Sequence, residues 1–205
     1  MSGHDSPLLP VRFFRLFLET LTVEIGYDAL MVILEKAGLP ADLVDPQAVS
    51  RYTSQSAAET YARIQKAMRL VYGRGARGTL IRIGRIMWAR LLETASISEK
   101  ARAQLIRTLP FAKRRKAALE LLARFMREKP AGIAVHTRDL ELILLDHATA
   151  AAIEQTEASP VCYVTQGLIQ ENLFWATARD YVIEEISCRA TGGNDCEFKI
   201  LVEGK

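Results

Sequence analysis

The sequence predicts an α+β fold: N-terminal helices followed by a four-stranded antiparallel sheet that carries one packed helix. Three observations lead there. Residues 10–127 place apolar side chains at helical spacing, punctuated by glycine and proline stops. Residues 133–145 and 180–202 instead hold short alternating runs bounded by turn residues. Finally, 205 residues that are 49% hydrophobic and 25% charged suit one globular unit. We divide the chain into a helical part, 1–130, and an α+β core, 131–205, integrated into one domain.

The elements follow in order. Residues 10–37 read as one long helix ending at Gly38, with Pro40 beyond. Its apolar residues surround the cylinder, so it is expected to be buried on more than one side. A homodimer through residues 12–37 accounts for that, and a central helix in a monomer accounts for it equally. After a connection with two prolines, 54–72 reads as a second helix. The run Gly73-Arg74-Gly75-Ala76-Arg77-Gly78 matches G-x-G-x-x-G in form only, because a helix precedes it where a dinucleotide site needs a strand. It is expected to be a turn before a helix over 79–94, with a weaker reading as an anion site. Gly84, in the middle of that helix, implies a close approach by a neighbouring helix or a ligand. Helices over 98–109 and 111–127 are split at Pro110, and Lys129-Pro130 closes the helical part. Strands over 133–137 and 140–145 form a hairpin around Arg138-Asp139. A polar connection leads to a helix begun by Ser159 as cap and Pro160 in the first position, which puts Cys162 in the first turn.

The chemistry concentrates in residues 160–202, which hold all three cysteines, Cys162, Cys188 and Cys196, together with Glu185. A strand over 180–188, the turn Gly192-Gly193-Asn194-Asp195 and a strand over 196–202 bring Cys188 and Cys196 face to face. Three thiolates and a carboxylate suffice for a tetrahedral zinc ion. Glu185 and Cys188 are an odd number of residues apart, so a regular strand points them to opposite faces. A shared metal therefore requires a bulge or bend between them. The competing reading is three buried thiols acting as small hydrophobes.

Cys162, Gly167, the E-x-x-C of Glu185 and Cys188, and the G-x-x-C-x-F of Gly193 to Phe198 resemble the 4-vinyl reductase domain family. This domain also forms the sensor region of phenol-responsive transcriptional activators, and its fold resembles small subunits of the vesicle-tethering trafficking complex. The resemblance implies zinc held by Cys162, Glu185, Cys188 and Cys196, in that order. It implies, too, an apolar ligand, hydrocarbon or tetrapyrrole, held between helices and sheet for sensing or delivery. Dimerisation through N-terminal helices is likewise its implication. Trp88, His136 and Phe174 are the candidate ligand contacts. The alternative it carries is an accessory protein or reductase acting on the 4-vinyl group in (bacterio)chlorophyll synthesis.

No nucleophile motif, paired-acid spacing or flavin or nicotinamide signature appears, which points away from a self-sufficient enzyme. The charge is uneven: residues 1–130 hold 22 Lys and Arg against 12 Asp and Glu, and the remainder holds 5 against 12. From 63 to 127 there are 17 basic residues against 3 acidic, spread over several helices without a nucleic-acid-binding motif. This distribution favours solvated faces, a partner protein or an acidic ligand over nucleic acid. No membrane span is expected, and an odd cysteine count without a secretion pattern suggests a reducing, cytoplasmic setting.

Overall fold

A computed structural model of the chain describes residues 7–127, 132–138 and 141–202. The α+β architecture is as predicted, although the described residues form eight helices where the sequence suggested about six. The helices are α1 (Val11–Ile25), α2 (Tyr27–Lys36), α3 (Pro46–Val49), α4 (Ser54–Tyr72), α5 (Gly75–Glu93), α6 (Ile97–Thr108), α7 (Phe111–Met126) and α8 (Tyr163–Thr177). The strands are β1 (Ile133–Arg138), β2 (Glu141–Asp146), β3 (Tyr181–Ser187) and β4 (Cys196–Val202). Every adjacent pair is antiparallel and the sheet order is β1-β2-β4-β3, so the last strand lies inside the sheet.

Three local readings need correction. The expected helix over 10–37 breaks at Gly26, whose φ of 82° ends α1 and starts α2. A side chain would be strained there, so glycine makes the break possible. The turn expected over 73–78 shrinks to Gly73 and Arg74, since α5 already begins at Gly75. Gly73 alone takes a positive φ, 54°, while Gly75 and Gly78 sit in the helix. Helix α8 starts at Tyr163 with Cys162 at its N-cap, so Ser159 and Pro160 lie before the helix. The Arg138-Asp139 turn, the Lys129-Pro130 stop and the first six residues fall outside the described set.

One hydrophobic core joins the helical part to the sheet. It runs from Phe14 and Phe17 on α1 through Ile64 and Met87 to Leu168 on α8 and Phe198 on β4, all essentially inaccessible. The inner face of the sheet contributes Leu144, Ile183 and Ile200, and its other face exposes Val182 and Ile186. Helices α5 and α8 cross at two glycines. A Cβ on Gly84 would lie 2.1 Å from the Val164 carbonyl oxygen, and one on Gly167 2.0 Å from that of Ile81. The close approach expected at Gly84 is therefore made by a helix, and it seats α8 deep in the core with its N-terminus over the hairpin of β3 and β4.

Candidate metal centre

Each residue of the site is delivered by a different irregularity. Cys162 occupies the N-cap of α8, with φ −81° and ψ 47°, and its backbone N–H donates to Glu185 Oε2 at 3.1 Å. Between Glu185 and Ser187 the pairing with β4 slips by one residue, because Glu185 faces Phe198 while Ser187 faces Glu197. This is the irregularity that the odd spacing required. The extra residue turns the chain so that Glu185 and Cys188 reach one side. After Cys188 the chain makes a 3₁₀ turn, Arg189–Thr191, and reverses at Gly192, which has φ 91°. Gly193 packs so tightly that a Cβ would sit 2.5 Å from Ser187 Oγ and 2.9 Å from the Cys188 carbonyl. Cys196 then opens β4, opposite Asp146 of β2.

The four ligand atoms lie within 4.8 Å of one another. The sulfur separations are 3.6 Å for Cys162–Cys196, 3.7 Å for Cys188–Cys196 and 4.0 Å for Cys162–Cys188. A tetrahedral ion with zinc–sulfur bonds of about 2.3 Å sets its sulfurs about 3.8 Å apart, so the donors already stand at the corners of such a site. All three cysteines are free thiols and buried, so no disulfide competes. Glu185 Oε1 is buried and without a hydrogen-bond partner, which leaves one carboxylate oxygen for an ion. Two outer contacts orient the sulfurs: the Arg189 N–H donates to Cys196 Sγ at 3.3 Å, and Thr149 Oγ1 lies 3.8 Å from Cys162 Sγ.

Four acidic groups in one small space compete for negative charge. Hydrogen bonds with Cys162 and Cys196 hold the Cys188 thiol well below its usual range. The hydrogen bonds with Cys188 and Cys196, and then burial, push Cys162 up. Cys196 is lowered by its bond with Cys162 but raised more by the one with Cys188 and by burial, so it stays a thiol. Burial, followed by the Cys188 charge, pushes Glu185 up to about 8. A divalent cation is what such a donor set fits, because it displaces the protons and offsets the repulsion.

A second polar group, absent from the sequence reading, borders the cysteines. Arg127, at the end of α7, forms an ion pair with Asp146 Oδ1 in which both side chains are almost wholly buried. Arg127 also donates to the Leu8 carbonyl at 3.0 Å, and the Ala148 N–H donates to Asp146 at 3.2 Å. Tyr61 lies nearby on α4, its hydroxyl kept protonated by burial first and by the charge of Cys162 next. The one sequence signal was a carboxylate, Asp146, closing an otherwise apolar strand.

The suggested ligand contacts do not converge. Trp88 is buried in the core, its ring 5.4 Å from that of Trp175 and 5.8 Å from Phe125. Phe174 is 41% exposed, and His136 is exposed on β1. A cavity of about 850 Å³ opens between the end of α2, α4 and residues 153–155, and none of these three lines it. None of the described helices is long and apolar enough to cross a membrane.

Comparison with known proteins bears on both the fold and the site. No curated protein matches the chain. An H-NOX protein from S. oneidensis, in the Fe(II)NO ligation state, shares the fold with a TM-score of 0.56 at 13% identity, covering 95% of this chain and 99% of that one. The unliganded Fe(II) H-NOX protein from K. algicida aligns with a TM-score of 0.54 at 12% identity, over 95% of this chain and 97% of that one. The phenol-responsive sensory domain of the transcription activator PoxR, with phenol, gives 0.47 at 15% identity, over 69% and 74%. Residues 145–202, which carry Cys162, Glu185, Cys188 and Cys196, match the 4-vinyl reductase domain, the family that their spacing resembles.

Proposed function

We propose that the chain is a zinc-containing, small-molecule-binding protein that senses or delivers an apolar ligand. The observation that carries this reading is the cluster of three thiols and one carboxylate at tetrahedral spacing, formed by elements that meet only in the folded chain. The match to the 4-vinyl reductase domain over the same residues supports it. With all four positions filled by protein, the ion has no open site for water or substrate, so its role is structural. It ties the N-terminus of α8 to the β3–β4 hairpin and contributes folding free energy. A clamp of this kind holds the floor of a binding domain in one geometry while the helices above adjust to a ligand.

The test is elemental analysis of tag-free protein, paired with thiol counting before and after chelation and organic extraction of bound compounds. About one zinc per chain, with thiols that react only after chelator is added, is the expected result. Absence of metal with freely titrating thiols sinks the zinc reading. A tetrapyrrole absorbance band in the purified protein turns the ligand reading toward pigment handling. A colourless apolar extract supports hydrocarbon binding.

A further inference from the structure

Helix α7 opens against the usual electrostatics of helices. Lys113, Arg114, Arg115 and Lys116 fall in its first two turns, at the positive end, with no acidic residue in the first turn and no side-chain cap on Pro110. The structure spends one of these charges internally: Arg114 donates to the carbonyls of Leu109 and Ala176. The others gather at the surface. The Arg115 and Arg179 guanidinium groups lie 5.8 Å and 4.4 Å from the centre of the same ring, Phe111. Among the described residues, no carboxylate comes within ion-pairing distance of Lys113, Arg115 or Arg179.

Beside this cluster, between α7 and the β1–β2 hairpin, lies a cavity of about 370 Å³. Lys113, Arg115 and Lys116 line one side, and Leu109, Ala117 and Leu142 supply apolar surface. Its two carboxylates are both engaged, Glu120 with Lys116 at 3.9 Å and Glu141 with Lys199 at 2.6 Å. Arg115 Nε is shielded from solvent and has no hydrogen-bond partner. A guanidinium nitrogen in that position calls for an oxygen acceptor, and a planar carboxylate matches its fork. We propose that this cavity binds a free single-chain amphiphile, with its carboxylate on Arg115 and Lys113 and its apolar chain along Leu109, Ala117 and Leu142. The proposal deepens the small-molecule reading and rests on it, but not on zinc.

The experiment is calorimetric titration of the intact chain with sodium decanoate below its micelle concentration, with decanol as the neutral control. Expected are one site per chain, loss of about tenfold or more in affinity on Arg115→Gln and on Lys113→Gln, and weakening by salt. Lys113 is exposed, so Lys113→Gln keeps the test informative if Arg115→Gln unfolds. Equal affinity for decanol, or decanoate binding unchanged in folded variants, overturns the proposal. So does co-flotation with anionic phospholipid vesicles in the absence of decanoate binding, which assigns the cations to a membrane surface. Zinc analysis is independent, so failure here with one zinc per chain removes this site alone.

Discussion

At the scale of single residues, the four ligands carry separate predictions. Cys196→Ser is expected to lower bound zinc from about one per chain to near zero and to unfold the hairpin locally, read by elemental analysis and melting temperature. The pH dependence follows from the opposed shifts within the cluster. Between about 4.5 and 8, the folded metal-free protein holds a proton on Glu185 that the unfolded chain releases, which makes stability fall as pH rises. Over the same window Cys188 has already lost in the folded state a proton that the unfolded chain keeps, which makes stability rise. The two cancel, so these groups leave metal-free stability nearly flat across that window. Zinc uptake must expel protons from Cys162, Cys196 and Glu185, so zinc affinity is expected to climb steeply with pH, by orders of magnitude from about pH 6 to about pH 8. Competition titrations against a calibrated chelator measure it, and an affinity independent of pH contradicts the thiolate site. Asp146→Ala leaves Arg127 charged and unpaired in the core, a loss of about 3–5 kcal/mol by denaturant unfolding.

At the scale of elements, the crossing of α5 and α8 reverses an ordinary rule. Glycine to alanine within a helix usually stabilises by about 1 kcal/mol. Gly78→Ala should follow that rule, because a Cβ there meets nothing within 4 Å. Gly84→Ala and Gly167→Ala should each destabilise by about 2–3 kcal/mol or more, because the new carbon meets backbone oxygens that cannot move independently. Thermal melts of the three variants decide it. This element-level feature was half legible in the sequence: a mid-helix glycine signals close approach, but only the fold reveals that its partner is another glycine. The β3 bulge was legible for a sharper reason, since an odd spacing between two supposed ligands has no regular solution. The break at Gly26 was not, because glycine inside an apolar run is compatible with an unbroken helix until packing fixes its φ. The start of α8 was misplaced because Ser159-Pro160 carries a strong local helix-start signal that tertiary contacts override. The true cap is Cys162, whose N–H is held by a carboxylate 23 residues away.

At the scale of the molecule, the sequence made the architecture readable, but the strand order was hidden, since alternation reports which face a strand buries and not its neighbour. It also left the ligand contacts unlocated, for aromatic residues serve core and pocket alike: Trp88 is core here. The apolar surface of the first two helices is only partly used within the chain. Phe13, Phe17 and Leu34 are buried, whereas Val23 is 80%, Tyr27 57% and Val32 52% exposed. We expect two chains to associate through this surface. Sedimentation over a range of concentrations should show a dimer, and Val23→Glu with Val32→Glu should give a folded monomer. A wild-type chain that stays monomeric at high concentration rules the interface out.

The inside position of β4 has a consequence for synthesis. Chains emerge from the ribosome amino end first, so β1 and β2 can pair early, while β3 appears with no neighbour to join. Cys162 and Cys188 by then are both outside the tunnel without their third thiol, which arrives only with β4. Until that last strand inserts, the nascent sheet shows two unpaired edges and two exposed sulfurs to the cell. Slowing translation after β3 should therefore lengthen the window for aggregation and thiol oxidation, and chaperones that shield strand edges should be needed most at that stage.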